Sequence, residues 1–225
     1  MNGAVVAACA VLGVLAGPLL TRVIDRIPSD KEPLAWPRYL VWLANGALWA
    51  LVANEFHRWW VVVPFLLVAS MLLVVSVIDL QVYRIPDKVV FPFLALSLVM
   101  LPIATRAVTP SNSDAVRIMT NALIGMVAYF VVLFIPHLIS PRGMGFGDVK
   151  LALVMGLYLG WLGVTKFDAF YLVLVAVFLG CLAGTVFGLL VSLVRRKRGA
   201  FPFGPALAAA SFLVMLTSER YLTGR

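Results

Sequence analysis

The sequence predicts an all-α, polytopic integral membrane protein with about eight transmembrane helices. Three observations carry that expectation. Hydrophobic residues make up 63% of the 225 positions, the mean hydropathy is +1.03, and the 18 basic and 10 acidic residues are placed so that they cut the chain into long uncharged runs. Such a composition excludes an ordinary soluble domain, whose surface needs far more charge.

The uncharged runs are Met1–Thr21, Tyr39–Asn54, Val61–Ile78, Val89–Thr105, Ile118–Pro141, Leu151–Thr165, Ala169–Val194 and Gly199–Ser218. The first opens with VAAC at 6–9, which loosely resembles a lipoprotein cleavage box. No basic stretch precedes it, and eight residues are too few for the apolar core of a signal, so Met1–Thr21 is expected to remain as the first span. The runs beginning at Tyr39 and Leu151 fall short of the roughly 20 residues that cross a hydrocarbon core. They are expected to borrow flanking residues whose charges snorkel. Trp59 and Trp60, beside His57, precede the third run as an interfacial aromatic pair. The expected organisation is a two-helix region over 1–54, with a short loop at 25–38, followed by a six-helix core over 55–225.

Orientation follows from the lysines and arginines once the loops are assigned alternately to the two faces. One face receives twelve, among them Arg22, Arg26, Arg84, Lys88, Lys150 and the RRKR cluster at 195–198; the other receives six. The richer face is expected in the cytoplasm. The net charge of +8 is then a property of loops at a lipid surface, and no nucleic-acid partner is expected. Cys9 and Cys181 lie in separate runs with no ligand spacing and are expected to be buried small hydrophobes, and His137, with no partner at metal-ligand spacing, is read as structural.

Charge at the edge of a span is costly, so the acids sort by location. Asp25, Asp30 and Glu32 lie among basic residues in a loop, Glu55, Asp114, Asp168 and Glu219 lie in loops or tails on the other face, and Asp87 follows Pro86 in a turn. Two remain. Asp79 ends the uncharged run Val61–Ile78 and is followed by Leu80; its bland role is a snorkelling acid paired with Arg84. Asp148 closes the glycine-rich stretch Gly143, Gly145, Gly147 just before a run that starts with Val149; its bland role is a helix cap. Alternating topology places both at the cytoplasmic ends of their spans, 69 residues apart in sequence and equal in depth. Two close carboxylates in a poorly solvated site share a proton. Such a pair holds a water, one member removing its proton while the other protonates the carbonyl or the leaving nitrogen. Peptide hydrolysis of that kind needs no metal, and its rate is expected to fall at both pH extremes.

Four stretches then resemble the type IV prepilin peptidases, membrane aspartic proteases of the GxGD type. GFGDVKL at 145–151 is similar to the family's GxGDxK segment, and IDLQVYRIPD at 78–87 to its first-aspartate segment; FPFGPALAAA at 201–210 resembles its IPFGP segment, and GPLLTRVIDRIP at 17–28 its N-terminal segment. The resemblance implies a GxGD aspartic protease architecture over 55–225, with Asp79 and Asp148 as the catalytic pair. It implies supporting positions at Gly143, Gly145, Gly147, Lys150, Pro86, Pro202, Gly204 and Pro205: the glycines shaping the active loop, Lys150 steadying a carboxylate or an interface, the prolines bending backbone near the site. The implied reaction removes a short basic leader from type IV prepilins or pseudopilins, cutting after a glycine at the cytoplasmic face of a bacterial cell membrane. The partners implied are that substrate and the lipid bilayer.

The chain departs from the family's pattern in two places. Bifunctional members carry two CxxC pairs that bind zinc in the first loop, in association with N-methylation of the new terminus. Asp25–Pro37 contains no cysteine, so no zinc is expected, and S-adenosylmethionine is needed only where methyl transfer is retained. Pro18 and Thr21 stand where the family has Ser and Asn. Two other readings stay open on residues alone. A presenilin-like or signal-peptide-peptidase-like protease would share Gly145-x-Gly147-Asp148 and Pro205-Ala206-Leu207 but lacks the Ile85-Pro86 sequel to its first aspartate. A non-catalytic scaffold or transporter would use the acids for packing or proton coupling.

Overall fold

The computed structural model describes residues 2–27, 37–140, 145–195 and 202–218. They form eight helices: α1 (Gly3–Asp25), α2 (Arg38–Glu55), α3 (Trp59–Val82), α4 (Asp87–Val108), α5 (Asn112–Ile139), α6 (Phe146–Leu162), α7 (Lys166–Arg195) and α8 (Gly204–Thr217). Each falls on one of the uncharged runs, and no strand occurs among the described residues. Residues 28–36 of the loop expected at 25–38, Gly143, and Arg196, Lys197 and Arg198 of the basic cluster lie outside the described residues.

Five helices, α1, α3, α4, α5 and α7, are long and apolar enough to cross a membrane, which makes the chain a multi-pass membrane protein. Three of the expected eight do not qualify by length and composition. α2 has 18 residues but carries Arg38, Asn45, Asn54 and Glu55. α6 has 17 residues. α8 has only 14, because it starts late, at Gly204-Pro205, with proline in the first turn where its missing N–H costs nothing. The shortness of α2 and α6 is visible in their uncharged runs; that of α8 is not, since glycine and proline are uncharged.

Helix ends follow local chemistry. Ser111 caps α5 by accepting from the Asp114 N–H, so α5 starts six residues before its uncharged run and takes Asp114 and Arg117 into its first turns. α3 runs past Ile78 and stops at Tyr83, whose φ of 57° places it in the left-handed region and whose N–H closes on the Asp79 carbonyl at 2.8 Å. Asp79 is thereby held in the last turn of a helix and not in the loop that follows.

The two helices carrying Asp79 and Asp148 are the most enclosed. α6 is buried from Asp148 to Leu162 except at Lys150 and Leu153, and α3 is buried over most of its length; helices apolar on every side belong inside a bundle. Phe65 of α3 joins them, its ring 5.6 Å from Tyr158 and 5.7 Å from Trp161 of α6. Trp161 also donates to Thr105 of α4 at 2.8 Å. On the N-terminal side, Asn45 of α2 donates to the Gly13 carbonyl of α1 at 2.7 Å and accepts from Ser70 of α3 at 2.8 Å, tying three helices through one buried amide. Buried amides of this kind gain a partner that lipid does not offer.

α5 and α6 approach closely through Gly125, Gly156 and Gly160. A methyl group built on Gly156 would overlap the Gly125 carbonyl and stand 2.8 Å from Tyr129 Cβ. The obstacle is backbone, which cannot swing away as a side-chain tip can. Gly156→Leu is therefore expected to lower stability by about 1–3 kcal/mol or more, read as a lower melting temperature and loss of the monodisperse peak in detergent.

Candidate active site

Asp79 comes to the site on the last turn of α3 and Asp148 on the first turn of α6. Both are buried, with 5% and 7% of their surface exposed. α6 begins at its N-cap Gly145, three residues before Asp148, so the acid lies in the first turn, where negative charge suits the helix dipole. A methyl built on Gly145 would stand 3.4 Å from Asp148 Oδ2, an ordinary contact. Gly147 has a stricter requirement: a methyl there would be 2.8 Å from Ile85 Cβ. The α6 start and the segment after Asp79 therefore meet at a spacing only glycine permits.

The third element is the N-terminus of α8. The Gly204 N–H donates to Asp79 Oδ2 at 3.2 Å. A methyl built on Gly204 would stand 2.8 Å from Asp79 Oδ2, 3.3 Å from Asp148 Oδ1 and 3.1 Å from Ile85 Cδ1. Two carboxylates 69 residues apart thus converge on one backbone position, contributed by a third helix. Neither bland role appears. Among the described residues Asp79 has no ion pair with Arg84, and the N-cap of α6 receives no side-chain hydrogen bond.

Lys150 sits elsewhere than on a carboxylate of this pair. Its Nζ donates to both oxygens of Asp87, at 2.7 and 2.8 Å, and lies over the rings of Phe146 (5.0 Å) and Phe91 (5.6 Å). Asp87 opens α4 directly after Pro86, its N-cap. The bridge ties the start of α4, which follows Asp79 by one short turn, to the start of α6, two residues past Asp148. Lys150 is 19% exposed and Asp87 54%, so the pair is partly screened and its strength is modest. Removing it with Lys150→Met is expected to slow turnover by about tenfold, and the charge swap Asp87→Lys with Lys150→Asp to recover part of that loss. Rates of Lys150→Met, of Asp87→Lys and Lys150→Asp singly, and of the swap, measured side by side, check this.

Of the other expected positions, Pro202 is buried and Pro205 half-buried on either side of Gly204, Pro86 is half-buried at the start of α4, and Gly143 lies outside the described residues. Sequence reasoning places Asp87 in a turn and assigns Ile85 no role of its own. The available signal is an acid immediately after a proline, which marks a helix start with charge in its first turn. His137 lies against the start of α6, its ring 5.2 Å from that of Phe146. Cys9 is buried as expected, whereas Cys181 is only half-buried.

Two buried carboxylates with one backbone donor between them can bind a water and exchange protons with it. Among the described residues no three His, Cys, Asp or Glu side chains cluster as a metal site would need, and Cys9 and Cys181 lie on α1 and α7. The residues described do not fit a zinc site, and no step below runs through one.

Residues 66–189 match the model of the type IV leader peptidase family. The chain is 32% identical over 185 residues to a prepilin leader peptidase/N-methyltransferase of Stutzerimonas stutzeri, covering 80% of this chain and 58% of that protein. It is 29% identical over 184 residues to a protein of that name from Pseudomonas aeruginosa, again covering 80% and 58%, and 30% identical over 186 residues to one from Bacillus subtilis, covering 80% and 66%. The chain therefore matches less than two thirds of the length of these relatives. No solved structure matches it. The matched segment contains Asp79, Asp148, Pro86 and Lys150, and ends before Gly204.

Proposed function

The chain belongs to the type IV leader peptidase family, and on that premise we propose that it is an aspartic endopeptidase that removes the basic leader of type IV prepilins or pseudopilins. The observation that carries the aspartic mechanism is the convergence of Asp79 and Asp148 on Gly204. Each acid lies at a helix N-terminus, Asp79 at that of α8 and Asp148 at that of α6, but among the described residues only Asp79 also receives a backbone N–H, from Gly204, which favours negative charge on it. Asp79 is accordingly assigned as the base and Asp148 as the acid. Asp79 takes a proton from a water held between the two; the water oxygen attacks the scissile carbonyl carbon while Asp148 protonates the carbonyl oxygen. The tetrahedral intermediate collapses as a proton passes to the leaving nitrogen, the C–N bond breaks, and the acids return to their starting states.

The site is assigned to the cytoplasmic face of a bacterial cell membrane, supported by the twelve-to-six distribution of basic residues. Residues 55–225 are assigned as the protease core and 1–54 as an accessory pair of helices; the family match at 66–189 falls inside the former. Selection for a small residue before the cut is assigned to the glycine-rich stretch that ends at Asp148. S-adenosylmethionine enters only for methyl transfer, a second activity that the same experiment reads.

That experiment is cleavage of a candidate prepilin in membranes containing the chain, with product masses determined. The expected product begins one residue after a glycine and lacks the basic leader; an added methyl group on it would assign the transferase activity as well. Intact prepilin in the presence of folded, inserted protein would overturn the proposal.

A further inference from the structure

α3 and α4 are joined by Tyr83, Arg84, Ile85 and Pro86 alone, and this link is constrained at both ends. Tyr83 is held in the left-handed region with its N–H closed on the Asp79 carbonyl. Pro86 has its φ set by its ring and restricts the residue before it to extended backbone. That residue is Ile85, whose β-branch leaves its side chain few rotamers. Arg84 is exposed, whereas Ile85 is half-buried and packs against two helix starts. One end of it lies on α6: a methyl built on Gly147 would stand 2.8 Å from Ile85 Cβ and 3.4 Å from both its Cγ1 and its N. The other end lies at α8: Ile85 Cδ1, Asp79 Oδ2 and Asp148 Oδ1 all fall within 3.3 Å of the point where a methyl on Gly204 would sit. A single side chain therefore spans from the start of the Asp148 helix to the junction at which both carboxylates meet.

We propose that Ile85 is a positioning residue for the reaction, wedged between the starts of α6 and α8 so that it sets the separation of the Asp79 and Asp148 carboxylates. The inference rests on the peptidase reading above and adds to it the group that holds the two acids in register. Three features set Ile85 apart from a residue that only fills the core. Its two ends rest on glycine backbone, which cannot swing aside, so the movable atoms at the junction are the carboxylate oxygens, and any change in Ile85 falls on them. Its own backbone and side chain are both stiff, so the place of Cδ1 is fixed by the link that leaves Asp79 and not by loose packing. It carries no hydrogen-bonding side-chain atom, so it fixes the acids by contact without competing for the protons they exchange. Displacement of a catalytic group by about 1 Å can cost 10²-fold in rate. One carbon at this junction is of that scale.

The test uses the full chain in vesicles and a prepilin substrate. Ile85→Val deletes Cδ1 and keeps both the β-branch and the contact with Gly147. It is expected to lower kcat by about tenfold with KM within about twofold, the pattern of an interaction expressed in the transition state and not in substrate binding. Ile118→Val deletes the same carbon near the start of α5, which runs antiparallel to α6 and so lies at the end of that helix away from Asp148. It is expected to cause the same small fall in melting temperature in detergent with kcat unchanged. Gly204→Ala places its new carbon 3.1 Å from Ile85 Cδ1, so combining it with Ile85→Val is expected to cost less in kcat than the product of the two single losses. With the wild type cleaving, three results would each overturn the positioning role and leave the peptidase reading standing. They are an unchanged kcat in Ile85→Val, a raised KM at unchanged kcat, and losses in the double variant that simply multiply. Absence of cleavage by the wild type would remove the peptidase reading and the role of Ile85 with it.

Discussion

Asp79→Asn and Asp148→Asn are each expected to reduce prepilin cleavage by a factor of about 10³ or more, with the double variant no worse than either alone. General acid–base catalysis by one positioned group is worth about 10²–10⁴, and groups that act as a unit lose nearly everything when either is removed. The substitution keeps shape and removes the ability of the side chain to take up or release a proton. In Asp79→Asn the side-chain amide retains an oxygen that accepts the Gly204 N–H, and a neutral amide is cheaper to bury than a carboxylate. Both variants are therefore expected to keep the melting temperature of the parent in detergent. Cleavage assays and thermal unfolding on the same preparations check the two halves of this statement. A variant that retained most of its activity would remove that aspartate from the chemistry.

Gly204→Val is expected to have the next largest effect, a fall of about 100-fold in kcat with the helices intact, because a displacement of about 1 Å in a catalytic group can cost 10²-fold in rate. Gly204 lies in α8 with ordinary helical backbone, so what it supplies is space. The first added carbon would stand 2.8 Å from Asp79 Oδ2 and 3.1 Å from Ile85 Cδ1. The atom able to yield is the carboxylate itself, a side-chain tip, so the cost falls on its position more than on the fold. Gly204→Ala is expected to show a smaller loss in the same direction, and kcat of the pair, measured against the parent, checks the ordering. A fall in stability without a change in kcat would show that Gly204 serves packing alone.

The parts of this molecule that rest on charge are legible in the sequence. Eight uncharged runs locate eight helices, and Asp79 and Asp148 stand out because an acid at the edge of an apolar run is expensive. The parts that rest on approach between helices are not. Gly156 and Gly160 show a GxxxG spacing, but nothing local reveals that Gly125 of α5 is what they meet. Resemblance alone puts Gly204 near the site; that its N–H donates to Asp79 depends on where α8 starts, which is set by a proline and by the packing of three helices. Lys150 and Asp87 are 63 residues apart, and only the shared end of α4 and α6 brings them together. Asn45 carries a readable signal of its own: an amide in the middle of an apolar run needs a partner, and it finds two.

The central claim is that Asp79 and Asp148 act on one water as base and acid. The most direct test is the pH dependence of kcat/KM for prepilin cleavage by the reconstituted wild-type chain, measured over the range in which the protein stays folded. A pair that works with one acid ionised and the other protonated loses activity when both are protonated and again when both are ionised. The predicted result is a profile that falls on both sides of a maximum. A profile that is flat, or that falls on one side only, would contradict the account.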